Sequence, residues 1–559
     1  MGISVRRRFL AAVATVFALG IAGATSTVAQ DRSLTPVTDA MLRDPDPAAW
    51  LNWRRTLDGW GYSPLDQINT NNAHRLQLVW SWQLGRGLSQ PTPLVHDGVL
   101  FIPNPDNVVQ ALDAATGDQL WQYTPDPADR GPDDSVSGNP RRGTRSIAIY
   151  GDNVYLNTSE AHIVALNTGT GDVAWDHTVA DRSLGYRYTS GPIVARGTIV
   201  AGMTGCQNYK NDVCFISGHD PETGEERWRT STVARPGEPG GDTWGDLPLM
   251  YRAGADSWIP GSYDPETNLT YWSTSQPKPW ARVSRKNDGD ALYSNSVLAL
   301  APETGELEWF YQFVPGETHD LDEVFESVLI DHHGRRSLFK MGKMGILWEL
   351  DRVTGAFVAA HDLGYQNVID VDASTGSVTY RPDMIPRVDV ELEFCPNLLG
   401  VRNWRATAYH PETQLLYIPI HPTCVTGAFT DLPQEVGNDY YANRGWMQRG
   451  SRVHPDSADN PGHLIAMDID TGEIRWRYSM SSRPGGAALT TGGGLVVGTD
   501  TNRYLYLHDA TNGDVLFRTR LPASVQGFPI TYAVDGRQYL AVPVGGNRSN
   551  ALYVFALPE

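Results

Sequence analysis

The stretch that decides the fold is Ala111-Leu-Asp-Ala-Ala-Thr-Gly117-Asp-Gln-Leu-Trp121. Close copies of it lie at residues 165–175, 218–228 and 299–309, and weaker copies at 349–358, 466–476 and 507–517. Asp or Asn followed by Thr-Gly predicts a tight turn in which the Gly accepts a positive φ. The apolar run before this turn and the segment after it then form a β-hairpin. The chain is therefore predicted to consist of repeated β units.

The repeat also predicts how these units assemble. A small sheet cannot bury both of its faces alone, so neighbouring sheets must stack, and the Trp that ends each copy can pack on the next sheet. Most copies are spaced by about 50 residues, with a wide gap between Gly355 and Gly472. Asp264-Pro-Glu-Thr and His410-Pro-Glu-Thr predict further turns. A radial array of four-stranded blades, a β-propeller, accounts for this pattern better than a series of β-sandwiches, and no helical period is sustained.

The composition fits a large all-β chain and excludes some partners. The 559 residues carry 64 acidic and 45 basic side chains, a formal net charge of −19, and include 17 Trp, 24 Tyr and 55 Gly. Many turns and aromatic-anchored strands suit this mixture. The acidic balance argues against general nucleic-acid binding and against docking on anionic lipid, because both need clustered Lys and Arg.

The N-terminus has the features of an export signal. Arg6-Arg7-Arg8 precedes the apolar run from Phe9 to Ala22, and Thr27-Val28-Ala29 is a small-residue cleavage site. The apolar run is too short for a membrane anchor, which needs about 20 residues. The sequence therefore predicts a signal peptide over residues 1–29 and a single exported domain over residues 30–559, with no membrane span in it.

Four cysteines in an exported chain predict disulfides. Cys206 and Cys214 are close in sequence, and Cys395 and Cys424 form the other natural pair. Metal binding is the competing interpretation, but no Cys-x-x-Cys or His-x-x-x-His motif accompanies these residues. A Cys-x-x-Cys-His motif is also missing from the sequence, so this chain attaches no c-type haem of its own.

The repeated phrase resembles the tryptophan-docking repeat of pyrroloquinoline quinone (PQQ) dehydrogenases, eight-bladed propellers of the bacterial periplasm. Residues 53–68, 394–404 and 532–542 resemble further segments of that family in the same order. Within the family the chain is most similar to the sorbose dehydrogenase type. That closer likeness is carried by Thr35-Pro-Val-Thr-Asp, by Gly205-Cys-Gln207 with Cys214, and by residues 215–220. The resemblance implies an all-β, eight-bladed β-propeller.

The resemblance also implies a site for PQQ, a flat orthoquinone with three carboxylates, and for a metal that polarises its reactive carbonyl. Asp320, in Pro315-Gly-Glu-Thr-His-Asp320-Leu-Asp322, matches the base that takes the alcohol proton, with His319 in place of the usual Trp. Lys343 matches a catalytic cation beside the quinone oxygens. The implied cofactor-binding residues, with Trp258 as the floor under PQQ, are Gln90, Arg145, Thr189, Thr204, Gly205, Cys206, Trp258, Lys343, Asn403, Trp404 and Gly545. The implied metal ligands are Gln207, Gln276, Asp320 and Asp322.

Three departures from the family pattern bear on the cofactors. Asn139 and Pro140 stand where methanol and ethanol dehydrogenases have two adjacent cysteines, so the disulfide ring over PQQ is missing. Gln207 replaces a Glu ligand, and Gln276 replaces an Asn ligand. A Gln carbonyl still suits Ca²⁺, but the loss of a negative charge disfavours a trivalent lanthanide more. Asp322 matches the extra acid of lanthanide-using relatives and could restore the lost charge. Because Gln207 and Gln276 are both neutral ligands, we nevertheless expect Ca²⁺ rather than a lanthanide.

The resemblance predicts a periplasmic alcohol dehydrogenase that oxidises a primary or secondary alcohol to an aldehyde or ketone. Electrons would leave to a separate cytochrome c or another acceptor. The sorbose-type likeness favours polyols or ketoses. A bulky cyclic secondary alcohol, such as a trichothecene mycotoxin, suits the sequence equally well. The missing disulfide ring leaves the site open above PQQ, and a long loop over residues 425–453 carries Tyr440, Tyr441, Trp446 and Met447. The same loop also fits a contact in a homo-oligomer.

A cofactor-free β-propeller that acts as a scaffold or assembly protein is the alternative function. Such a protein has no need for Arg145, Trp258, Asp320 and Lys343 together. Their joint presence in family context favours the enzyme.

Overall fold

The computed structural model describes Gly2 and residues 33–126, 143–431, 445–546 and 549–559. The predicted signal peptide, apart from Gly2, lies outside these residues, as do Asn139, Pro140, Tyr440 and Tyr441. Within the described part, eight sheets each contain four antiparallel strands, and we number these blades 1 to 8. The predicted propeller is thus confirmed in its strand pairing.

The blades follow one another along the chain, each with its strands in sequence order. Blade 1 is Leu94–His96, Val99–Pro103, Val109–Asp113 and Gln119–Tyr123; blade 2 is Ala148–Tyr150, Asn153–Asn157, His162–Asn167 and Val173–Thr178; blade 3 is Ile193–Ala195, Thr198–Gly202, Phe215–His219 and Glu226–Ser231; blade 4 is Ser262–Asp264, Leu269–Ser273, Ser296–Leu300 and Leu307–Gln312. Blade 5 is Val328–His332, Arg335–Met341, Ile346–Asp351 and Phe357–Asp362; blade 6 is Ala408–His410, Leu415–Ile420, Gly462–Asp468 and Ile474–Met480; blade 7 is Leu489–Thr491, Leu495–Thr499, Tyr504–Asp509 and Val515–Arg520.

Blade 8 joins the two ends of the chain. Its first three strands are Ile530–Val534, Arg537–Val544 and Asn550–Ala556, and its fourth strand is Gln77–Leu84 from near the N-terminus. The register pairs Gln77 with Ala556 and Leu84 with Asn550. This pairing closes the ring of blades with hydrogen bonds and removes two exposed sheet edges.

Smaller elements decorate the ring. The described α-helices are Asp39–Arg43 and Arg282–Arg285, and the 3₁₀ turns are Ala73–Arg75, Pro105–Asn107, Arg182–Leu184, Gly241–Trp244, Leu249–Tyr251, Pro382–Met384 and Pro455–Ser457. Tyr62–Ser63 adds a parallel strand to blade 7, Ala253–Gly254 pairs with Pro277–Lys278, and Ile369–Val371 pairs with Val378–Tyr380. In the part of the chain described here, no helix is long and apolar enough to cross a bilayer.

The prediction of a loop over residues 425–453 is wrong at both ends of that range, where the structure has strands. Thr423–Phe429 and Trp446–Val453 pair as antiparallel strands, and Glu391–Phe394 completes a three-stranded sheet beside them. Trp446 packs against Phe429 and Phe394, with ring centroids 4.8 and 5.5 Å apart. Trp446 and Phe429 therefore stabilise the sheet and do not lie in an irregular loop.

Each Trp of the repeat docks on the next blade, as predicted. The indole Nε1 of Trp228 in blade 3 donates a hydrogen bond to the Pro302 carbonyl of blade 4 at 2.8 Å. A Cβ at Gly305 would lie 2.3 Å from the Trp228 ring. The Gly of the turn therefore serves two purposes, since its φ of 70° suits the turn and its bare Cα admits the neighbouring ring. Trp121 and Trp476 bond to blades 2 and 7 in the same way.

We expect Trp228→Phe to lower the free energy of unfolding by about 2 kcal/mol, because the buried Pro302 carbonyl loses its donor. Trp80→Phe is the matched control: the Trp80 ring packs on Gly117 in the same manner, but its indole nitrogen has no hydrogen-bond partner among the described residues. Urea denaturation of both variants measures the difference. Equal losses in the two variants would contradict a contribution from the inter-blade hydrogen bond.

Candidate active site

The predicted site residues meet at one face of the propeller because of strand order. In a four-stranded antiparallel blade, the segment before the first strand and the turn after the second strand lie at the same end. Arg145 precedes the first strand of blade 2, and Asp320 precedes that of blade 5. Gln276 and Lys343 follow the second strands of blades 4 and 5. First strands of neighbouring blades lie side by side around the axis, so these segments converge.

A cavity of about 340 Å³ opens at this face. It is lined by Arg145, Arg187, Thr189, Thr204, Gly205, Gln207, Asp256, Trp258, Ser275, Gln276, Lys278, Asp320, Asp322, Lys343, Leu398, Leu399 and Asn403. Eleven of the predicted site residues are therefore brought together in one space.

The Asp320 carboxylate is surrounded by donors. Its Oδ1 accepts a hydrogen bond from Gln276 Nε2 and lies 3.7 Å from Lys278 Nζ. Its Oδ2 lies 3.6 Å from Lys343 Nζ. Asp320 has a φ of 65°, and its backbone N–H donates to the buried Glu317 carboxylate at 3.2 Å. The loop is thus held in a left-handed turn that aims the carboxylate into the cavity.

Lys343 links the two acids of the loop. Its Nζ donates to the Asp320 carbonyl at 2.6 Å and lies 2.9 Å from Asp322 Oδ2. Burial disfavours the ammonium, but the two carboxylates outweigh burial and raise the pKa of Lys343. Burial also raises the pKa of Asp320, against the opposing effect of Lys343 and Lys278. Lys343 is therefore a fixed cation at neutral pH.

The donor set beside Asp320 fits a hard cation. Gln276 is 2 % exposed, and its carbonyl Oε1 has no hydrogen-bond partner among the described residues. An orphaned buried carbonyl next to the carboxylates of Asp320 and Asp322 is an unsatisfied oxygen set of the kind that Ca²⁺ takes. Gln207 also lines the cavity. The four predicted metal ligands are therefore all at the cavity wall.

Another part of the cavity wall fits a flat anion. Trp258 is half-buried, with its ring packed edge-on against Phe325 at 5.2 Å. The Arg145 guanidinium lies 5.1 Å from the Trp258 ring centroid. Its Nε donates to Gln90 Oε1 at 2.9 Å, and its Nη1 donates to the Thr189 carbonyl at 3.1 Å. These bonds fix the guanidinium at the edge of an aromatic surface, where it can meet a carboxylate.

Two threonines and a glycine complete this wall. The buried Thr189 hydroxyl has no hydrogen-bond partner among the described residues. The Thr204 hydroxyl donates to the Arg187 carbonyl at 2.6 Å and so holds Arg187 beside the cavity. A Cβ at Gly205 would lie 1.9 Å from the Gly185 carbonyl oxygen, so no other residue fits there. The orphaned hydroxyl is available to a bound carboxylate.

Four predicted cofactor residues lie outside the cavity wall. Gln90 orients Arg145 from behind. Cys206 is bonded to Cys214, and its backbone N–H donates to Asp256 at 3.0 Å. The Trp404 ring packs on Phe528, with ring centroids 5.9 Å apart. A Cβ at Gly545 would lie 2.1 Å from Asn550 Oδ1, so Gly545 packs against the Asn550 side chain. Their direct contact with a cofactor stays a prediction.

Both predicted disulfides are present. Cys206–Cys214 closes the loop that carries Gln207, and Cys395–Cys424 ties the segment before Leu398 and Leu399 to the three-stranded sheet. Asn403 lines the cavity beyond that tie, and its amide donates to the Leu399 carbonyl at 2.9 Å. The disulfides thus anchor two of the loops that form the cavity.

Sequence reasoning missed six residues of the cavity wall: Arg187, Asp256, Ser275, Lys278, Leu398 and Leu399. A signal for two of them existed, because Ser275 and Lys278 flank the predicted ligand Gln276. With these additions the wall carries four cationic and three carboxylate side chains. Such a surplus of positive charge, beside orphaned polar atoms, fits PQQ, a flat tricarboxylate, together with a metal cation.

The comparisons with known proteins identify a family for this chain. The family model described as "PQQ: Glucose/ethanol/alcohol dehydrogenase, beta-propeller domain" matches residues 50–361 and 479–540. Quinohemoprotein alcohol dehydrogenase ADH IIB of Pseudomonas putida is 31% identical over 539 residues, which cover 91% of this chain and 75% of that protein. Quinoprotein alcohol dehydrogenase PedH of Pseudomonas putida is 31% identical over 612 residues, with 100% of this chain and 98% of that protein covered.

Solved structures give the same result for the fold. The quinohemoprotein alcohol dehydrogenase ADHIIG of Pseudomonas putida HK5 superposes with a TM-score of 0.84 at 26% identity, covering 94% of this chain and 82% of that one. A europium-containing methanol dehydrogenase superposes with a TM-score of 0.83 at 24% identity, covering 92% of this chain and 99% of that one. From the matched family model and the relatives of 31% identity over nearly its whole length, the chain belongs to the PQQ-dependent alcohol dehydrogenase family.

Proposed function

We propose that this protein oxidises a primary or secondary alcohol to the aldehyde or ketone, with PQQ and Ca²⁺ as cofactors. The observation that carries the proposal is the cavity in which the Asp320 carboxylate, the Lys343 ammonium and the Trp258 ring face one space. When bound, PQQ supplies a quinone carbonyl carbon that accepts a hydride, the electron-pair acceptor that alcohol oxidation requires.

Each residue then has a distinct task. Asp320 takes the hydroxyl proton of the alcohol at a carboxylate oxygen as the carbinol hydride departs. Lys343 places a fixed positive charge where negative charge develops. Arg145 and Arg187 would hold carboxylates of the cofactor beside the Trp258 ring. Gln207, Gln276, Asp320 and Asp322 would hold the metal, which polarises the reacting carbonyl.

The entrance supports a substrate with an apolar body. Leu398 and Leu399 lie at the cavity wall, and Leu399 is 41% exposed. An apolar ring that packs against these leucines is stabilised by roughly 25 cal/mol for each Å² of apolar surface that it buries. A polyol has little apolar surface to bury there and is stabilised less. We therefore favour a bulky cyclic secondary alcohol, such as a trichothecene mycotoxin, over a polyol or ketose.

The electron acceptor and the compartment are part of the proposal. Two disulfides suit an oxidising compartment such as the periplasm, to which the predicted signal would direct the chain. The sequence carries no motif for covalent haem, so we propose that electrons pass to a separate cytochrome c or another acceptor. A homo-oligomer is compatible with this function.

Reconstitution tests the proposal. The purified mature protein is loaded with PQQ and Ca²⁺, and dye reduction is followed with a panel of polyols, ketoses, simple alcohols and cyclic secondary alcohols, omitting each cofactor in turn. We expect activity that needs both cofactors, with the lowest KM for a cyclic secondary alcohol. Lack of PQQ binding with any metal would overturn the proposed chemistry, and a polyol as best substrate would overturn the substrate class alone.

A further inference from the structure

A second lysine is built into the wall beside Asp320. Lys278 lies in the short strand Pro277–Lys278, paired with Ala253–Gly254. A Cβ at Gly254 would lie 2.7 Å from the Lys278 backbone nitrogen and 2.9 Å from Lys278 Cγ. Because only glycine fits there, the Lys278 stem packs directly on this backbone. Its side chain is 8% exposed and lines the cavity. The position of its ammonium is therefore set by the fold.

The two ammonium groups flank one carboxylate. Lys278 Nζ lies 3.7 Å from Asp320 Oδ1, and Lys343 Nζ lies 3.6 Å from Asp320 Oδ2. Lys343 also contacts Asp322, whereas Lys278 lies beside Asp320 Oδ1, the oxygen to which the Gln276 amide donates. Lys278 Nζ is thus held 3.7 Å from a carboxylate oxygen that would hold a metal.

We propose that Lys278 sets the charge of the metal that the site accepts, favouring a divalent over a trivalent ion. This inference rests on the proposed function. The repulsion between the ammonium and a bound ion grows in proportion to the charge of the ion. Lys278 therefore lowers the affinity for a lanthanide more than the affinity for Ca²⁺. It acts as a positioning residue through the electrostatics of the site and takes no part in proton transfer.

The charge balance of the cavity supports the same conclusion. Its wall carries four cationic side chains, Arg145, Arg187, Lys278 and Lys343, against the three carboxylates of Asp256, Asp320 and Asp322. With the three carboxylates of PQQ, a divalent ion brings the site to neutrality. A trivalent ion leaves one excess positive charge in a buried site, which is unfavourable. Without the positive charge of Lys278, a trivalent ion rather than a divalent ion makes the site neutral.

The test measures bound metal. Wild type, Lys278→Met, Lys278→Arg and the control Lys286→Met are stripped with a chelator, loaded with PQQ and equilibrated with equal concentrations of Ca²⁺ and La³⁺. After removal of free ions, the La:Ca ratio is determined by elemental mass spectrometry. We expect the ratio to rise about tenfold or more in Lys278→Met. It should stay near the wild-type value in Lys278→Arg, which keeps the charge, and in Lys286→Met, whose side chain is half exposed and lies outside the cavity wall.

Two results would overturn the inference. One is an unchanged ratio in Lys278→Met. The other is an equal rise in Lys278→Arg, which would assign the effect to shape. Circular dichroism checks the fold, and Lys278→Gln replaces the Met variant if that variant fails to fold. A wild-type protein that binds neither PQQ nor either metal would instead overturn the proposed function, so the two failures are distinguishable.

Discussion

Asp320→Asn should lower kcat by roughly a hundred- to ten-thousandfold, the range that a general base contributes, while the protein still folds and binds PQQ. The substitution keeps the size of the side chain and an oxygen that can accept from Gln276, whose amide bonds to Asp320 in the wild type. It removes the negative charge that receives the alcohol proton and that lies 3.6 Å from Lys343. Pre-steady-state and steady-state dye reduction measure the loss, and the PQQ content of the desalted protein, determined by its absorbance, reports cofactor binding.

The matched control is Asp370→Asn. Asp370 lies on the hairpin Ile369–Val371, its side chain is 66% exposed, and it pairs only with the exposed Arg381 among the described contacts. We expect its kcat to stay within twofold of wild type. If Asp320→Asn kept a tenth or more of the wild-type kcat with PQQ and metal bound, another group would have to be the base.

The repeat made the site predictable at the level of loops. Each turn phrase marks the third and fourth strands of a blade, which fixes where the first and second strands lie. Gln276 and Lys343 could then be assigned to second-strand turns from the chain alone. The distances from Gln276 and Lys343 to Asp320 could not be predicted from the sequence. These distances depend on how adjacent blades are rotated against each other and on local backbone conformation, such as the left-handed φ at Asp320.

Other features depend on contacts between distant segments. Lys278 enters the cavity because Gly254, which lies in a different loop, offers no side chain, and no local pattern records that pairing. The sheet of Glu391–Phe394, Thr423–Phe429 and Trp446–Val453 carries no turn phrase. Its strands form because Phe394 and Phe429 are buried against Trp446, so a local reading of the sequence predicts a loop.

Arg402→Met should destabilise the protein by roughly 3–5 kcal/mol, as expected when one partner of a buried ion pair is removed. Arg402 and Glu326 are each 1% exposed, and one guanidinium nitrogen lies 2.7 Å from both carboxylate oxygens. Glu326 also accepts from the backbone and hydroxyl of Thr407, at the start of blade 6. The pair therefore joins the loops of blades 5 and 6 near the axis, and Met fills the volume without neutralising the carboxylate.

The loss should also depend on pH, with opposite signs in the two proteins. Burial alone would raise the pKa of Glu326, but Arg402 outweighs burial and lowers it below the ordinary value of 4.5. In the wild type this pair therefore contributes stability above about pH 4.5, which is lost as the pH falls. In the variant, burial is opposed only by weaker partners and raises the pKa of Glu326, so the folded state retains the proton and loses stability as the pH rises. The difference in unfolding free energy should thus be larger at pH 8 than at pH 5.

Urea unfolding of Arg402→Met and wild type at these two pH values measures both effects. Arg449→Met is the control, because Arg449 forms an exposed ion pair with Glu391 at 2.7 Å, with both side chains 55% exposed. Such a pair contributes about 0–1 kcal/mol and is screened by salt. A loss below 1 kcal/mol in Arg402→Met, or an equal loss at both pH values, would mean that water or a neighbouring cation such as Arg54 compensates Glu326. In that case water would have more access to Glu326, near the axis of the propeller, than the burial of this pair indicates.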